Sequence, residues 1–251
     1  MNLVVLISGG SFMDLIALQN EVLENGYSIY TDSNPTALGH SARIEYLSSF
    51  GKLEIHSPRE KFHYSSLDRE PWRKLAISSA NGVGEPYAQF LQTTYFSKLD
   101  PQYPALAIVF KFLISFRNQM LGLEDDFGSN PKEDGFWNAC RVHHYPKGGG
   151  FMVEHKDTHF PKVLDSNELP FLQVMMILST KGIDFSEGGN YIRDRNGKQI
   201  YPEDLYGIGS IVMFDGGIAH GVQDVDPDGI VDFSEPSGRF AAFVNLYEAR
   251  D

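Results

Sequence analysis

RVHHYPKGGGFMVEHKD, residues 141–157, is the stretch on which the fold and the chemistry of this chain turn. Residues 150–157 read as a strand, so Phe151, Val153, His155 and Asp157 fall on one face. Gly148 to Gly150 most simply form a hairpin turn, and no Lys-Ser/Thr pair follows them as a phosphate loop requires. His155 and Asp157 form a His-x-Asp at the strand end, where rigid backbone holds two metal ligands together. A second imidazole, His220, lies 63 positions after Asp157 within GSIVMFDGGIAHGV, residues 209–222. Two imidazoles and one carboxylate can take one triangular face of an octahedral metal and leave the opposite face open, as in a non-haem Fe(II) oxygenase site. A lone His-x-Asp is common, and His159 is either a competing ligand or a surface residue.

A third feature strengthens the reading. Arg239 opens GRFAAFVNLYEA, residues 238–249, a strand pattern in which Arg239, Ala241, Phe243, Asn245 and Tyr247 share a face. An arginine pointing inward beside the small Ala241 is costly to bury unless an anion meets it. A dicarboxylate that chelates iron at one end would supply that anion at the other. The alternative is an edge strand with Arg239 in solvent.

Working outward, residues 136–251 carry short apolar runs separated by Gly, Asp, Asn and Pro clusters. Strands are expected near 137–145, 150–156, 171–179, 189–193, 208–214, 219–223 and 239–247, which suggests an antiparallel sandwich or barrel. Before them, residues 11–25 have helical spacing, with Leu15, Leu18, Val22 and Leu23 apolar and Gly26 at the C-cap position. Residues 27–33 read as a short strand. Residues 86–99 and 103–121 read as helices, the second apolar enough to pack against a sheet. Residues 34–85 give no clear pattern, and 122–135 read as a polar loop. The expected architecture is mixed α+β with a mainly β core: a double-stranded β-helix, or cupin-like jelly roll, buttressed by N-terminal helices. One domain spans 1–251, with 1–135 as helical support and substrate-side loops and 136–251 as the metal-bearing core.

Composition narrows the function classes. The 251 residues are 42% hydrophobic and 13% aromatic, enough for one substantial core and against disorder. The formal net charge of −12 comes without a basic stripe, which argues against nucleic acid and anionic membranes as partners. The single cysteine, Cys140, excludes an internal disulfide, a four-cysteine zinc site and a cysteine-ligated cluster within one chain, and fits a reducing, cytoplasmic location. The short apolar run at the start, without a basic flank, does not read as a signal peptide. The Ala105–Phe116 run is too short and too polar-flanked to span a membrane.

Four blocks in order, RVHHYPKGGGFMVEHKD, FLQVMMILSTKGIDFSEGGNYI, YGIGSIVMFDGGIAHGV and GRFAAFVNLYEA, resemble the Fe(II)/2-oxoglutarate-dependent oxygenases over roughly residues 136–247. The resemblance implies Fe(II) ligation by His155, Asp157 and His220, and Arg239 on the distal carboxylate of 2-oxoglutarate. Tyr145 and Arg141, which share a face, are further candidates for contact with the cosubstrate. The 19 residues from His220 to Arg239 exceed the family's usual spacing, so the intervening VQDVDPDGIVDFSEPSG reads as an inserted loop that could cover the site. RVHHYPKGGGFM also resembles, more loosely, the radical halogenases and hydroxylases of free amino acids. Halogenases replace the carboxylate ligand with a small residue; Asp157 points to the hydroxylating branch.

The implied reaction consumes 2-oxoglutarate and O2, releases succinate and CO2, and hydroxylates an unactivated C–H bond of a small metabolite, most simply a free amino acid or derivative. His143, Asn138, Trp137 and Arg73 are the candidate substrate contacts, although one of His143 and His144 is expected to be ordinary strand packing. The same cofactors would also serve desaturation or cyclisation. A cupin-like metal enzyme without 2-oxoglutarate would leave Arg239 without a role, and a jelly-roll binding module would need neither histidine. The oligomeric state is not readable from the sequence.

Overall fold

The computed structural model describes residues 4–6, 12–57, 60, 62–68, 70–79, 88–97, 100–157 and 171–249. Strands β1 (Val4–Leu6) and β2 (Phe12–Asp14) pair antiparallel ahead of α1 (Leu15–Asn25). Asp14 accepts the Ala17 N–H at 3.1 Å, and Gly26 closes α1 at φ +86°, a conformation that favours glycine. β3 (Tyr27–Tyr30) leads to α2 (Ser33–Ser49), whose N-cap is Asp32. The short β4 (Ile55–His56) and the longer β5 (Trp72–Ser79) and β6 (Ala88–Tyr95) follow, then α3 (Pro104–Met120) and the single turn α4 (Pro131–Asp134). Glu45 of α2 accepts the N–H groups of Ala105 and Leu106 at 3.1 and 2.8 Å. It therefore caps the positive end of α3 and ties the two helices together.

The remaining strands are β7 (Phe136–Pro146), β8 (Gly150–His155), β9 (Leu172–Ile177), β10 (Gly189–Arg193), β11 (Gln199–Ile200), β12 (Ile211–Asp215), β13 (His220–Val225) and β14 (Gly238–Glu248). They join β3 to β6 in one 12-stranded sheet of order β11-β10-β13-β8-β6-β7-β14-β9-β12-β3, with β5 and β4 extending from β6. Every pairing is antiparallel except that of β4 with β5. The sheet curls into the jelly-roll core expected from the sequence.

Pleating divides the long strands between two interiors. Cys140 and Val142 of β7 and Ala242 and Val244 of β14 pack with Leu106, Val109, Phe110 and Leu113 of α3 on one face. Each Val, Leu and Phe side chain among these contributes about 1.5–3 kcal/mol on burial, so this layer fixes the helices on the sheet. The other face turns Ala241 and Phe243 toward Met175, Ile177, Val212 and Phe214 inside the roll. Arg239, Arg141, His143 and Tyr145 belong to this inner face by register, since Arg239 pairs with Tyr145, Ala241 with His143 and Phe243 with Arg141.

Three expectations are corrected. Residues 88–95 form β6, not part of a helix, because β-branched Thr93 and Thr94 and aromatic Phe90 and Tyr95 favour a strand. Its polar Gln92, Thr93 and Thr94 are nevertheless buried, which hid the period-two pattern. The N-terminal half thus supplies sheet as well as helices. A bulge between the His220–His155 and Val222–Met152 pairs breaks the alternation in β8. Met152, not Val153, packs inside near Tyr145, and Val153 is exposed. Finally, the segment between β13 and β14 packs on the β7–β8 turn. Gly148 and Gly149 donate to the Asp226 and Val225 carbonyls, and Lys147 to that of Ser237. It lies at the opposite end of β13 from His220 and does not cover the metal motif.

Candidate metal centre

His155 ends β8 and His220 begins β13, and the two are direct partners across the strand pair. Their rings sit 4.2 Å apart. Asp157 follows His155 by two residues; its N–H donates to the Gly216 carbonyl at 2.7 Å, which fixes the chain just beyond the strand. Asp215 organises the turn before His220 by accepting the Gly217 N–H at 2.8 Å. Asp157 Oδ1 lies 3.8 Å from His155 Nε2, and its Oδ2 lies 3.5 Å from His220 Nε2. One ligand atom from each of the three residues falls within 4.8 Å of the others.

Both histidines are set in the tautomer a metal needs. His155 Nδ1 faces the Val153 carbonyl at 2.9 Å, and His220 Nδ1 faces the Ile218 carbonyl at 2.9 Å. A carbonyl only accepts, so each Nδ1 carries the proton and the lone pair sits on Nε2. Burial, aided by His155 and opposed by Asp157, pulls His220 down to about 4, so it is neutral near pH 7. Asp157 is held in turn by Gln173 on β9, whose Nε2 donates to Oδ2 at 2.5 Å. Asn245 on β14 donates to the Gln173 Oε1 at 2.5 Å. This chain of bonds orients the carboxylate from two strands.

Arg239 is fully buried. Its Nε donates to Glu203 Oε1 at 2.6 Å, and Glu203 Oε2 also accepts the Asn190 N–H at 2.7 Å. The guanidinium lies 5.1 Å from the centre of the Tyr145 ring. Its Nη2 meets only the Met175 sulfur, and its Nη1 has no partner among the described residues. His143 Nδ1 is also buried and has no partner among the described residues; its Nε2 accepts from Arg141 Nε at 2.9 Å, so Nδ1 carries a hydrogen. Burial, Arg141, Arg239 and Lys74 push His143 well below its ordinary value and keep it neutral. Burial raises Tyr145 to about 12, so its hydroxyl remains a donor, met among the described residues by the Met152 sulfur at 3.8 Å. Unpaired buried donors are costly, and an anionic oxygen ligand would satisfy them.

Of the sequence-predicted residues, His155, Asp157 and His220 are brought together. Arg239, Tyr145, Arg141, His143 and Trp137 line the inner face of β7 and β14. Arg73 and Asn138 are not brought to the site. The Arg73 side chain packs over Phe50 at 3.9 Å and bonds the Phe50 carbonyl and Gln92. Asn138 bonds Arg117 of α3 and the Phe127 carbonyl. His144 stacks on Phe240 at 4.4 Å on the helix side, as ordinary packing. His159 lies outside the described residues. Sequence reasoning missed Gln173 and Glu203. A lone polar residue in the apolar run FLQVMMIL was a signal for Gln173, whereas nothing marked Glu203 in its turn.

Comparison with known proteins bears on the fold. No family model matches the chain, and no curated protein matches it. Among solved structures, a Pseudomonas putida prolyl-4-hydroxylase superposes with a TM-score of 0.56 at 17% identity, covering 94% of this chain and 100% of its own. A Trichoplax adhaerens prolyl hydroxylase, solved with a hypoxia inducible factor peptide fragment, gives 0.55 at 13% identity, covering 93% and 89%. A Burkholderia pseudomallei oxidoreductase of the 2OG-Fe(II) oxygenase family gives 0.52 at 12% identity, covering 96% and 93%. The chain therefore has the fold of these oxygenases. No helix among the described residues is long and apolar enough to cross a membrane.

Proposed function

We propose that this chain is an Fe(II)- and 2-oxoglutarate-dependent oxygenase that hydroxylates a C–H bond of a small metabolite of amino-acid size. The observation that carries the reading is the His155–Asp157–His220 cluster, its ligand atoms within 4.8 Å and both histidine tautomers fixed, on the fold that known 2OG-Fe(II) oxygenases share. The residues also fit the cosubstrate: Arg239 Nη1 and His143 Nδ1 are buried donors awaiting an acceptor.

His155, Asp157 and His220 would hold the iron, with Gln173 and Asn245 fixing the Asp157 carboxylate. Arg239 and Tyr145 would hold the distal carboxylate of 2-oxoglutarate. When bound, iron and cosubstrate supply the oxidation: with O2, 2-oxoglutarate becomes succinate and CO2, and the second oxygen atom enters the substrate C–H bond. Phe214, whose ring is 4.7 Å from that of His220, and Phe243 keep the inner wall apolar and exclude water beside the cluster. The chain's work is to position, orient and dry the site.

The test is Fe(II) binding by the metal-stripped protein. One equivalent is expected, with His155→Ala, Asp157→Ala and His220→Ala each lowering affinity by about 100-fold or more. Unchanged affinity in all three folded variants would rule out the assigned ligands.

A further inference from the structure

Beside the metal cluster, β5, β6, β7 and β14 place two cations on one wall. The register puts Lys74 opposite Thr93, Thr93 opposite His143, Tyr95 opposite Arg141 and Trp137 opposite Tyr247. Arg141 is buried; its Nε donates to His143 and its Nη1 to the Tyr247 hydroxyl at 2.5 Å. Its guanidinium carbon lies 5.3 Å from the Tyr247 ring centre, 5.6 Å from Phe243 and 6.0 Å from Tyr95. Lys74 Nζ lies 5.8 Å from the same Tyr95 ring. Burial pulls Lys74 below its ordinary value, opposed by Tyr247 and helped to a smaller degree by the nearby Arg141. Among the described residues neither cation has a carboxylate within ion-pair distance. Arg239, by contrast, already has Glu203.

Two like charges on a desolvated wall repel unless an anion joins them. Asp157 is near enough to act electrostatically on Arg141 and Tyr247, but it belongs to the metal cluster and is engaged by Gln173. Trp72, Lys74, Tyr95, Trp137, His143 and Tyr247 are only half-buried, so the wall reaches solvent from the inner face. Its rings form a contiguous cluster: Trp137 meets Tyr247 at 5.7 Å and Phe62 at 5.9 Å, both tilted, and Phe62 stacks on Tyr95 at 4.7 Å.

We infer that Arg141 and Lys74 bind a carboxylate of the substrate, while the ring cluster of Trp137, Tyr95 and Tyr247 carries its body beside the metal. The inference rests on the proposed function and narrows its substrate class to small carboxylic acids, amino acids included. It also assigns Arg141 to the substrate, with Arg239 left to the cosubstrate.

The chain's two tryptophans, Trp72 and Trp137, both stand in this cluster, so their fluorescence reports its occupancy. The probes are the free amino acids and benzoate, each paired with its neutral amide, titrated into full-length protein without iron or cosubstrate. At least one acid is expected to give a saturable change, with its amide about tenfold or more weaker. Arg141→Met and Lys74→Met should each weaken the acid by about tenfold or more, the loss of one charge-assisted bond. Lys181→Met, at a surface pair with Asp204, should change nothing. Equal binding of acid and amide, no response to any acid, or wild-type affinity in the folded Lys74→Met/Arg141→Met variant would overturn the inference. A parallel 2-oxoglutarate titration with Mn(II) should be weakened far more by Arg239→Met than by Arg141→Met, which reaches the cosubstrate only through its bond to His143; equal weakening by the two variants would overturn it as well. The fluorescence arm needs no metal, so its failure is distinguishable from failure of the oxygenase reading.

Discussion

Replacing Arg239 by Met tests how the deepest charge in the roll is held. Arg239 and Glu203 expose 0% and 2% of their side chains and meet at 2.6 Å. Removing the cation leaves Glu203 buried with, among the described residues, the Asn190 N–H but no countercharge. Breaking a buried pair from one side costs about 3–5 kcal/mol. For a chain of this size that corresponds to a fall in melting temperature of about 6–20 °C. Arg239→Met/Glu203→Gln removes the stranded charge and keeps an acceptor for Asn190, so it should recover most of that loss. The recovered protein would still lack the cation, and its affinity for 2-oxoglutarate should fall by about 100-fold. Thermal and urea unfolding measure the first effect and metal-dependent 2-oxoglutarate titration the second. A single variant within about 1 kcal/mol of wild type, or a double variant as unstable as the single, would refute the buried-pair argument. A stable double variant with wild-type cosubstrate affinity would refute the role of Arg239.

Three further outcomes are expected. Gln173→Leu removes the bond that orients Asp157, and Fe(II) affinity should weaken about 10–100-fold, as read by competition with a chromophoric chelator; unaltered affinity would remove Gln173 from the site. Glu45→Ala leaves the first N–H groups of α3 without their carboxylate and should cost about 0.5–2 kcal/mol in urea unfolding; no loss would mean that solvent caps the helix equally well. Burial drives His144 down to about 3, against about 6.5 in the unfolded chain, so only the unfolded state takes up this proton as pH falls between those values. Its contribution is complete above about pH 6.5 and is lost toward pH 3 at about 1.4 kcal/mol per unit. His144→Gln, which keeps a donor for the Ser237 carbonyl, should flatten the stability profile between about pH 6 and 4.5 by that slope; identical slopes would show that His144 titrates freely.

What was legible in the sequence followed from how far each signal was local. The strands of the second half were readable because apolar runs and turn residues alternate there, and β7, β8, β10 and β14 fall within a residue or so of their expected bounds. β6 was not readable, since its buried Gln92 and Thr94 serve Arg73 and Tyr46, contacts made only in the folded state. His155, Asp157 and His220 stood out by type and spacing. The partner of Arg239 did not, because Glu203 arrives from a turn 36 residues away. Asn138 lies near the metal motif in sequence and Arg73 has the chemistry to bind an anion, but pleating sends their side chains to the helix-covered face. One residue of register decided between His143, inside, and His144, outside.

The most direct measurement is the visible spectrum of the metal-stripped protein as Fe(II) and then 2-oxoglutarate are added without oxygen. A weak charge-transfer band that needs both additions, and that Asp157→Ala and Arg239→Met/Glu203→Gln each diminish, is the predicted result. Fe(II) bound with no band on adding 2-oxoglutarate, or no Fe(II) bound at all, would contradict the proposed oxygenase.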